Sequence, residues 1–261
     1  MPFQSNSSDR RRPANGVLVC FKGNLDNRPI RSNLKQESFG VKIAALNIQH
    51  GGGARTQAIA DYLQTLDADC IVLSEYRLDE KGLASKLATL GYTHQHTGAQ
   101  YPKENSVLVA SRLPFVAGNA TQRIAAVTIQ DLNLLGVYFP QGDEKRPVFR
   151  EIREQVASGS NTLVIGDFNT GKPFIDESGN TFACVDEFEA LEQHGLIDSW
   201  RSRNPEGREF TWYSNKGNGF RIDHAFCTKS VNARIDLVEY IHAPREQKVT
   251  DHSALIVELS V

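Results

Sequence analysis

Hydrophobic positions are spread unevenly along the chain, and the pattern changes at residue 41. Residues 1–40 contain several serines and prolines and the run Arg10-Arg11-Arg12, with few apolar positions at regular spacing. This composition is typical of a disordered N-terminal tail, or of a reading frame whose start was assigned too far upstream. Over residues 41–261, apolar positions recur at strand and helix spacing, which predicts one folded domain.

The first part of this domain predicts a strand, a helix and a second strand. Residues 41–48 form an apolar run that stops at three consecutive glycines, which is typical of a buried strand. Residues 70–73 form a second apolar run. Between these runs, one face of a helix collects Ala58, Ile59, Tyr62, Leu63 and Leu66. A strand, helix and strand in this order favour a parallel pair.

Further along the chain, predicted strands follow one another without helices between them. They cover 92–97, 105–111, 123–129 and 133–138. Consecutive strands indicate hairpins, so we expect mixed sheets. Further helices are predicted near 81–90, 146–157 and 186–194, and further strands near 162–166, 221–228, 234–242 and 253–259.

The composition is that of an ordinary folded protein, with 23% charged and 40% hydrophobic residues. It argues against a disordered chain, a collagen-like repeat and a coiled coil. No window approaches the run of about 18 apolar residues that a membrane span needs, so we expect no membrane partner. The formal net charge of −2 argues against nucleic-acid binding through overall charge. A local basic groove, or a metal ion that bridges acids to phosphate, remains open.

The cysteines do not indicate disulfides or a zinc site. Cys20, Cys70, Cys184 and Cys227 form no CxxC pair, and Cys70 and Cys227 lie in apolar runs typical of core positions. The N-terminus lacks the apolar segment of a secretory signal. We therefore expect a cytoplasmic monomer with no stable protein partner. An organelle-targeting role of the tail is the alternative.

Polar side chains recur where predicted strands end, or just before one begins. Each by itself is explained by a turn, a helix cap or a solvated surface position. Together they indicate a ligand site, because ligands of α/β proteins bind where strand ends converge. Clustered acids repel one another unless a cation or protons intervene, and oxygen ligands suit Mg²⁺ or Mn²⁺ better than zinc. The set comprises Asn47, Glu75, Tyr138, Asp167, Asn169, Asp223, Asp251 and His252.

Six short motifs contain these residues: Leu-Asn-Ile (46–48), Leu-Ser-Glu (73–75), Tyr-Phe-Pro (138–140), Gly-Asp-Phe-Asn (166–169), Arg-Ile-Asp-His (221–224) and Thr-Asp-His-Ser (250–253). In this order the set resembles the endonuclease/exonuclease/phosphatase (DNase I-like) superfamily, and it is most similar to exonuclease III-type AP endonucleases. The resemblance implies an α/β fold, a four-layer α/β/β/α sandwich of two mixed β-sheets with helices outside. It also implies a divalent-metal-dependent phosphoester hydrolase.

The resemblance further implies which residues hold the metal. Glu75 binds the Mg²⁺ or Mn²⁺ ion directly, and Asn47 is a ligand or a partner of the ligands. Asp251 completes this polar shell. The ion offsets the charge of the phosphate and stabilises the leaving oxygen.

The remaining polar residues receive catalytic roles from the same resemblance. Asp167 orients and deprotonates the attacking water, and Asn169 holds Asp167 in place. His252 donates a hydrogen bond to a phosphate oxygen, while Asp223 fixes its tautomer and favours its cationic form. Tyr138 contacts the phosphate or assists the leaving group.

Substrate-binding residues are predicted around the motif that contains Asp223. Phe220 occupies a position that resembles the aromatic wall of the abasic-sugar pocket in AP endonucleases, and Trp212 and Phe226 extend that wall. The alternative interpretation makes all three core aromatics. Three basic residues near catalytic motifs are predicted to contact the DNA backbone, namely Lys172, Lys216 and Arg221.

The predicted function is therefore a DNA repair nuclease of the AP endonuclease or exonuclease III type, with DNA as its partner. Gln141 departs from the Asn that many AP endonucleases carry after Tyr-Val-Pro. One alternative is a phosphatase or phosphodiesterase that acts on a small nucleotide, inositol or lipid phosphate. A lesser alternative is a non-catalytic binding module on the same fold.

Overall fold

The computed structural model describes residues 40–78, 82–156 and 161–261 of the chain. Except for Gly40, the tail predicted over residues 1–40 lies outside the described residues. The first residue of the helix predicted over 81–90 and the last residue of the helix predicted over 146–157 also lie outside them. No helix within the described ranges is long and apolar enough to cross a membrane.

Strands and short helices alternate through these ranges. The strands are β1 (Gly40–Asn47), β2 (Cys70–Tyr76), β3 (His94–Thr97), β4 (Ser106–Ser111), β5 (Val116–Ala120), β6 (Ile124–Ile129), β7 (Leu132–Tyr138), β8 (Thr162–Asp167), β9 (Ile197–Asp198), β10 (Trp212–Tyr213), β11 (Gly219–Phe220), β12 (Asp223–Cys227), β13 (Ile235–Ile241) and β14 (Ala254–Ser260). The helices are α1 (Thr56–Leu66), α2 (Leu83–Thr89), α3 (Arg146–Val156), α4 (Val185–Gln193), α5 (Ser199–Arg203), α6 (Lys229–Asn232) and α7 (Ala243–Glu246).

The longer strands form two mixed sheets of six strands each. One has the order β13-β14-β1-β2-β4-β3, and the other has the order β5-β6-β7-β8-β12-β9. In each sheet a parallel pair is flanked by antiparallel neighbours, β1 with β2 in the first and β7 with β8 in the second. The prediction of mixed sheets built from hairpins and a parallel pair is confirmed.

Three buried clusters define four layers. The central cluster joins residues of both sheets, such as Val72 and Leu134. A second cluster packs Ile59 and the other buried residues of α1 and α2 against the first sheet. A third packs Phe149 of α3 and Phe188 of α4 against the second sheet. The predicted α/β/β/α sandwich is therefore confirmed.

The two sheets approach each other closely at Gly136 of β7. A Cβ atom at this position would lie 2.8 Å from Cγ2 of Val109 and 2.9 Å from Cγ1 of Val72, both in the opposite sheet. Any larger residue would push the sheets apart, because protein interiors have no free space to absorb it. This contact lies two residues before Tyr138, so it also sets the separation of the strand ends that carry the polar residues.

Elements that the sequence pattern did not predict are short or exposed. Four of the five residues of β5 are exposed, including Val116, so this strand has no apolar alternation to detect. The predicted apolar face of α1 is wrong at one residue. Ala58 is exposed, and Ala60 is buried in its place. The remaining differences are helices of four or five residues and strands of two residues, which are too short for a periodic signal.

Arg221 is a structural residue, which corrects its prediction as a DNA contact. Its side chain is completely buried. Its guanidinium donates from Nε to Oδ1 of Asp176 at 2.8 Å and from Nη2 to Oδ2 of Asp198 at 2.7 Å. Burial opposes the charged form of Asp198, but the charge of Arg221 outweighs it and holds the pKa of Asp198 well below its usual range. The ion-pair cluster ties the loop before β12 to β9 and to the 170–184 loop.

Replacing Arg221 with Met is expected to destabilise the fold strongly, because Asp198 and Asp176 lose the cation that compensates their burial. Breaking a buried pair costs about 3–5 kcal/mol. At roughly 2–4 °C per kcal/mol for a domain of this size, the melting temperature should fall by roughly 10 °C or more. Lys42→Met is the control, since Lys42 pairs with Glu258 on the surface at 3.4 Å. Equal melting temperatures of the two variants in a calorimetric scan would contradict this assignment.

Candidate active site

The predicted polar residues meet at one edge of the sandwich. Strands β1, β2, β7 and β8 end at this edge, whereas β12 begins there and β14 begins just beyond His252. A cavity of about 540 Å³ opens between these strand ends, which we call the main cavity. Its lining includes Gln49, His50, Glu75, Gln141, Lys145, Asn169, Thr181, Phe182, Trp212, Phe220, Asp251 and His252.

Asp167 is the last residue of β8 and lies almost fully buried at the base of this site. Its Oδ1 accepts a hydrogen bond from the backbone N–H of Asn169 at 2.8 Å. Its Oδ2 accepts from Nδ2 of Asn47 at 2.8 Å and from Nδ2 of Asn169 at 3.3 Å. Gly166 precedes it with a φ of +146°, and a Cβ there would lie 2.1 Å from the carbonyl oxygen of Val137. Glycine is therefore required for the backbone to deliver this carboxylate.

Burial and the neighbouring charge of Asp223 raise the pKa of Asp167 to about 7. The two residues are paired in register across β8 and β12, so their carboxylates lie side by side. The charge of His252 and the donors on Asn47 and Asn169 work in the opposite direction. A pKa near 7 suits a carboxylate that accepts a proton from water near neutral pH.

Asp223 and His252 form a buried ion pair. Nδ1 of His252 lies 2.9 Å from Oδ2 of Asp223, and both side chains are about 5% exposed. Burial lowers the pKa of His252, but the charge and hydrogen bond of Asp223 outweigh it and raise the pKa to about 10. His252 is therefore cationic at neutral pH. Since Nδ1 is held by Asp223 and the ring lines the main cavity, the second nitrogen is left to serve as a donor there.

Glu75 and Asn47 form the second polar group of the site. Nδ2 of Asn47 donates to Oε1 of Glu75 at 3.1 Å and to Oδ2 of Asp167 at 2.8 Å, so one amide joins two carboxylates. Oε2 of Glu75 accepts from the backbone N–H of His50 at 2.8 Å. The φ of Glu75 is +58°, in the left-handed region that favours glycine. Such strain is common at functional sites, where the surrounding structure maintains it.

Asp251 lies on the rim of the site. Its Oδ2 accepts from Nε2 of Gln49 and from Nε1 of Trp212, both at 3.1 Å. Its neighbour Thr250 donates from Oγ1 to the carbonyl oxygen of Asn47 at 2.7 Å. These bonds attach the loop before β14 to the end of β1.

The donor set fits a hard divalent cation. Glu75 and Asp251 supply carboxylate oxygens to the lining of the main cavity, and the buried carboxylate of Asp167 is joined to Glu75 through the amide of Asn47. None of these three carboxylates has an ion pair with a Lys or Arg among the described residues. In addition, the carboxylates of Asp167 and Asp223 and the ring of His252 place donor atoms within 4.8 Å of one another. Because the protonated ring has no lone pair for a metal, the carboxylates are the metal donors of this group. Oxygen ligands with uncompensated negative charge are the type that Mg²⁺ and Mn²⁺ prefer.

Tyr138 ends β7 beside Asp167, its partner in the register of β7 and β8. Burial, followed by the charge of Glu75, raises the pKa of its hydroxyl to about 12. Nδ2 of Asn105 donates to this hydroxyl at 3.3 Å and to Oε2 of Glu75 at 2.9 Å. Asn105 is not among the predicted residues because it precedes a strand, whereas most of the predicted set lie at the end of one.

Lys145, which is not among the residues predicted for the site, is the main further functional candidate. It is 1% exposed and lines the main cavity. No hydrogen bond or ion pair of its ammonium group is found among the described residues. Burial lowers its pKa, against the opposing charges of Cys184, Asp167 and Asp143. A buried cation without a partner, facing a cavity, is positioned to receive an anion.

Gln141 also lines the cavity, and its Nε2 donates to Oδ1 of Asn169. Through this bond it helps to orient the residue that holds Asp167. The sequence analysis noted Gln141 only as a departure from the family pattern. Its position four residues before Lys145 places both side chains on the same segment, which includes a 3₁₀ turn over Gly142–Lys145.

Two predicted aromatics form one wall of the main cavity. Trp212 and Phe220 pair across β10 and β11, and their ring centroids lie 5.6 Å apart. Phe182, which the sequence analysis did not select, contacts Phe220 edge-on at 5.7 Å and also lines the cavity. The main cavity therefore combines an aromatic wall with charged residues such as Glu75 and Lys145. This combination suits an amphipathic ligand.

Phe226 does not belong to this wall, which corrects its prediction as a substrate-binding residue. It is fully buried between Phe168 and Phe188, at ring distances of 5.6 and 5.2 Å. Side chains alternate across a strand, so a residue three positions after Asp223 in β12 points to the opposite face. That face packs against the outer helices.

Lys172 and Lys216 lie outside the lining of the main cavity. Nζ of Lys172 is paired with Glu192 of α4 at 2.8 Å, whereas Lys216 is exposed in the turn between β10 and β11. Their predicted contact with DNA stays a prediction.

Solved structures share this fold. The 3′ phosphatase NExo from Neisseria, bound to a product DNA hairpin, is 22% identical and superposes with a TM-score of 0.73 over 85% of this chain and 100% of that chain. The 3′–5′ exonuclease NExo from Neisseria meningitidis is 22% identical, with a TM-score of 0.71 over 84% and 100%. An AP endonuclease from Archaeoglobus fulgidus is 19% identical, with a TM-score of 0.71 over 85% and 100%.

The sequence itself matches a family model over residues 44–252, which covers most of the chain and all the motif residues named above except Ser253. The match begins within β1 and ends at His252, so it contains both parallel strand pairs and the main cavity. By this match the chain belongs to the Endonuclease/Exonuclease/phosphatase family.

Proposed function

We propose that this protein is a divalent-metal-dependent DNA nuclease of the AP endonuclease or exonuclease III type. The observation that carries the proposal is the arrangement of one cavity. Asn169, His252 and Lys145 line it, and Lys145 has no ion pair among the described residues. The buried carboxylates of Asp167 and Asp223 lie directly behind the lining, bonded to Asn169 and His252 respectively. This combination provides a base for water and two cations for a phosphate.

The protein's own residues supply the proton chemistry. Asp167 accepts a proton from the attacking water, because its raised pKa makes it a competent base near neutral pH. Asn47 and Asn169 hold its two oxygens, so the carboxylate does not rotate during the reaction. This orientation is established before substrate binds, which lowers the cost of reaching the transition state.

His252 and Lys145 stabilise the charge that develops on the phosphate. Nε2 of His252 donates to a non-bridging oxygen, and Asp223 keeps the imidazole protonated and oriented. Lys145 supplies a second positive charge from a water-poor position, where its interaction with an anion is strong. Tyr138, which keeps its proton, donates a hydrogen bond at the same edge.

Glu75, with Asp251 and Asn47, would hold Mg²⁺ or Mn²⁺. When bound, the ion offsets the phosphate charge and stabilises the leaving oxygen. The hydrogen bonds from His50 and Asn105 to Glu75 keep this carboxylate turned toward the site.

DNA is favoured as the substrate by the shape of the main cavity. Its wall of Trp212, Phe220 and Phe182 is suited to a deoxyribose without a base or to an unstacked nucleotide. The similar solved structures are described as a 3′ phosphatase with a DNA hairpin, a 3′–5′ exonuclease and an AP endonuclease, which supports the same substrate class. A role in DNA repair follows from this substrate.

The first test is hydrolysis of three matched, labelled duplexes by the full-length protein. One duplex carries a central abasic-site analogue, one carries a 3′-phosphate end, and one is unmodified. We expect incision at the abasic site in Mg²⁺ and none in EDTA. In the Asp167→Asn protein the rate should fall by about a thousandfold or more, because the proton acceptor is lost.

The three duplexes separate the possible outcomes. Reaction of only the 3′-phosphate end would support a DNA phosphatase and contradict the endonuclease assignment. If none of the duplexes reacts while Mn²⁺ binds to the protein normally, DNA is not the substrate and small phosphate esters become the better candidates.

Replacing Lys145 with Met should separate a functional from a structural role. We expect kcat/KM to fall by about a hundredfold, because one cation next to the reacting phosphate is lost. The melting temperature should stay the same or rise, because a buried ammonium group without a partner destabilises the fold. Lys229→Met, at an exposed position of α6, is the control for loss of charge. A fall in melting temperature together with activity would indicate a structural role and contradict this prediction.

Replacing Phe220 with Leu should lower incision at the abasic site by roughly tenfold, through lost contact between the aromatic ring and the flipped-out sugar. The melting temperature should change little, because Phe220 is only partly buried. Phe226→Leu is the matched control in the core and should lower the melting temperature while leaving the ratio of abasic-site to 3′-phosphate hydrolysis unchanged. If both variants keep the wild-type ratio of abasic-site to 3′-phosphate hydrolysis, the aromatic wall has no role in recognising the abasic site.

A further inference from the structure

A second, smaller cavity adjoins the main cavity, and we call it the side pocket. Its volume is about 330 Å³. Gln49 and Asp251 line both cavities, and Nε2 of Gln49 donates to Oδ2 of Asp251. The two cavities are therefore separated by one pair of hydrogen-bonded side chains.

The side pocket is rich in positive charge. Its lining contains Arg55, Arg245 and Lys248, whereas Asp251 is its one acidic residue. Among the residues the structure describes, none of these three cations forms an ion pair with an Asp or Glu. Uncompensated cations around a concavity attract and bind anions.

Arg55 is held in place without losing its charge. Nη1 donates to the carbonyl oxygen of Val249 at 2.7 Å, and Nη2 donates to that of Gln49 at 3.1 Å. Both acceptors are neutral, so the guanidinium stays uncompensated. These bonds also connect the loop after β1 to the loop before β14, so the side pocket is built from the same two loops as the metal-binding edge.

Arg245 and Tyr213 form the opposite side of the pocket. The guanidinium carbon of Arg245 lies 4.6 Å from the centroid of the Tyr213 ring, and its Nε donates to Oγ of Ser253 at 3.3 Å. The ring is 41% exposed. A stacked guanidinium has little rotational freedom to lose on binding, so it is organised in advance for a phosphate.

We propose that the side pocket binds the phosphate of a nucleotide that adjoins the reacting one on the same DNA strand. This inference rests on the proposed function of the main cavity. The shared wall places two phosphate sites next to each other, as the backbone of one strand requires. A mononucleotide fills only the main cavity, so the side pocket selects polynucleotide substrates over mononucleotides.

The test measures binding of a labelled abasic-site duplex by fluorescence anisotropy, with the Asp167→Asn protein so that the duplex stays intact. Arg245→Gln and Lys248→Gln are introduced separately into this protein, and Lys229→Gln is the control with the same loss of charge. Across about 50–200 mM salt, each pocket variant should reduce the slope of log K against log salt by about 0.9, and the control should not. Lys248→Arg should restore the wild-type slope.

Hydrolysis provides the second measurement, in proteins that retain Asp167. The ratio of kcat/KM for the DNA duplex to kcat/KM for a mononucleotide 3′-phosphate should fall by about tenfold in each pocket variant. An equal fall in kcat/KM for the duplex and for the mononucleotide would overturn the proposal, because it would mean that these residues act on the main cavity. Unchanged salt slopes would overturn it as well.

The two proposals fail in different ways. A wild-type protein that hydrolyses the duplex, with pocket variants that bind DNA as the control does, contradicts the side pocket and leaves the nuclease assignment standing. A wild-type protein that hydrolyses no phosphate ester, with pocket variants whose salt slopes change, contradicts the nuclease assignment and supports the side pocket as a DNA-binding site.

Discussion

A buried hydrogen-bond bridge through Ser74 joins the two sheets at the edge that carries the site. Its Oγ donates to the carbonyl oxygen of Val137 at 2.9 Å and accepts from the backbone N–H of Asp167 at 3.3 Å. The next residue along β2 is Glu75, so the proposed metal ligand and the proposed base are held at a set separation. Close packing at Gly136 maintains the same separation from within the core. The chemistry at the edge therefore depends on how the sheets pack.

The protein contains two kinds of buried charge, and they differ in whether their partners are complete. Arg221 lies between Asp176 and Asp198, and the charges of this cluster are satisfied within the fold. Lys145 is also a buried residue, but its ammonium group has no such partner among the described residues and faces a cavity. Burial of a charge is costly in both places. At Arg221 this cost is offset by ion pairs within the fold. At Lys145 it is offset when an anion binds, so the interaction that is missing in the free protein contributes to the affinity for the substrate.

The two cavities follow from the way the loops at the strand ends are tied together. Asp251 is bonded to Gln49 and Trp212, and Arg55 is bonded to the carbonyl oxygens of Gln49 and Val249. One set of bonds therefore separates an aromatic main cavity, lined by both carboxylates and cations, from a basic side pocket. Carboxylates together with cations suit a metal ion and the reacting phosphate, whereas a basic site suits a phosphate alone. An overall charge near zero is compatible with DNA binding when the charges are divided in this way.

The sequence alone determined the mixed α/β architecture and the main chemical groups of the site, because apolar periodicity and residues at strand ends are local signals. It also identified Asp167, Asp223 and His252, which the structure brings together. Only the tertiary structure decided the roles of residues whose side chains contact partners distant in the sequence. Arg221 and Phe226 were expected to bind substrate, yet Arg221 meets two aspartates and Phe226 points away from the site. Lys145 was not among the predicted site residues, because sequence spacing does not show whether a charge is buried or what lies opposite it.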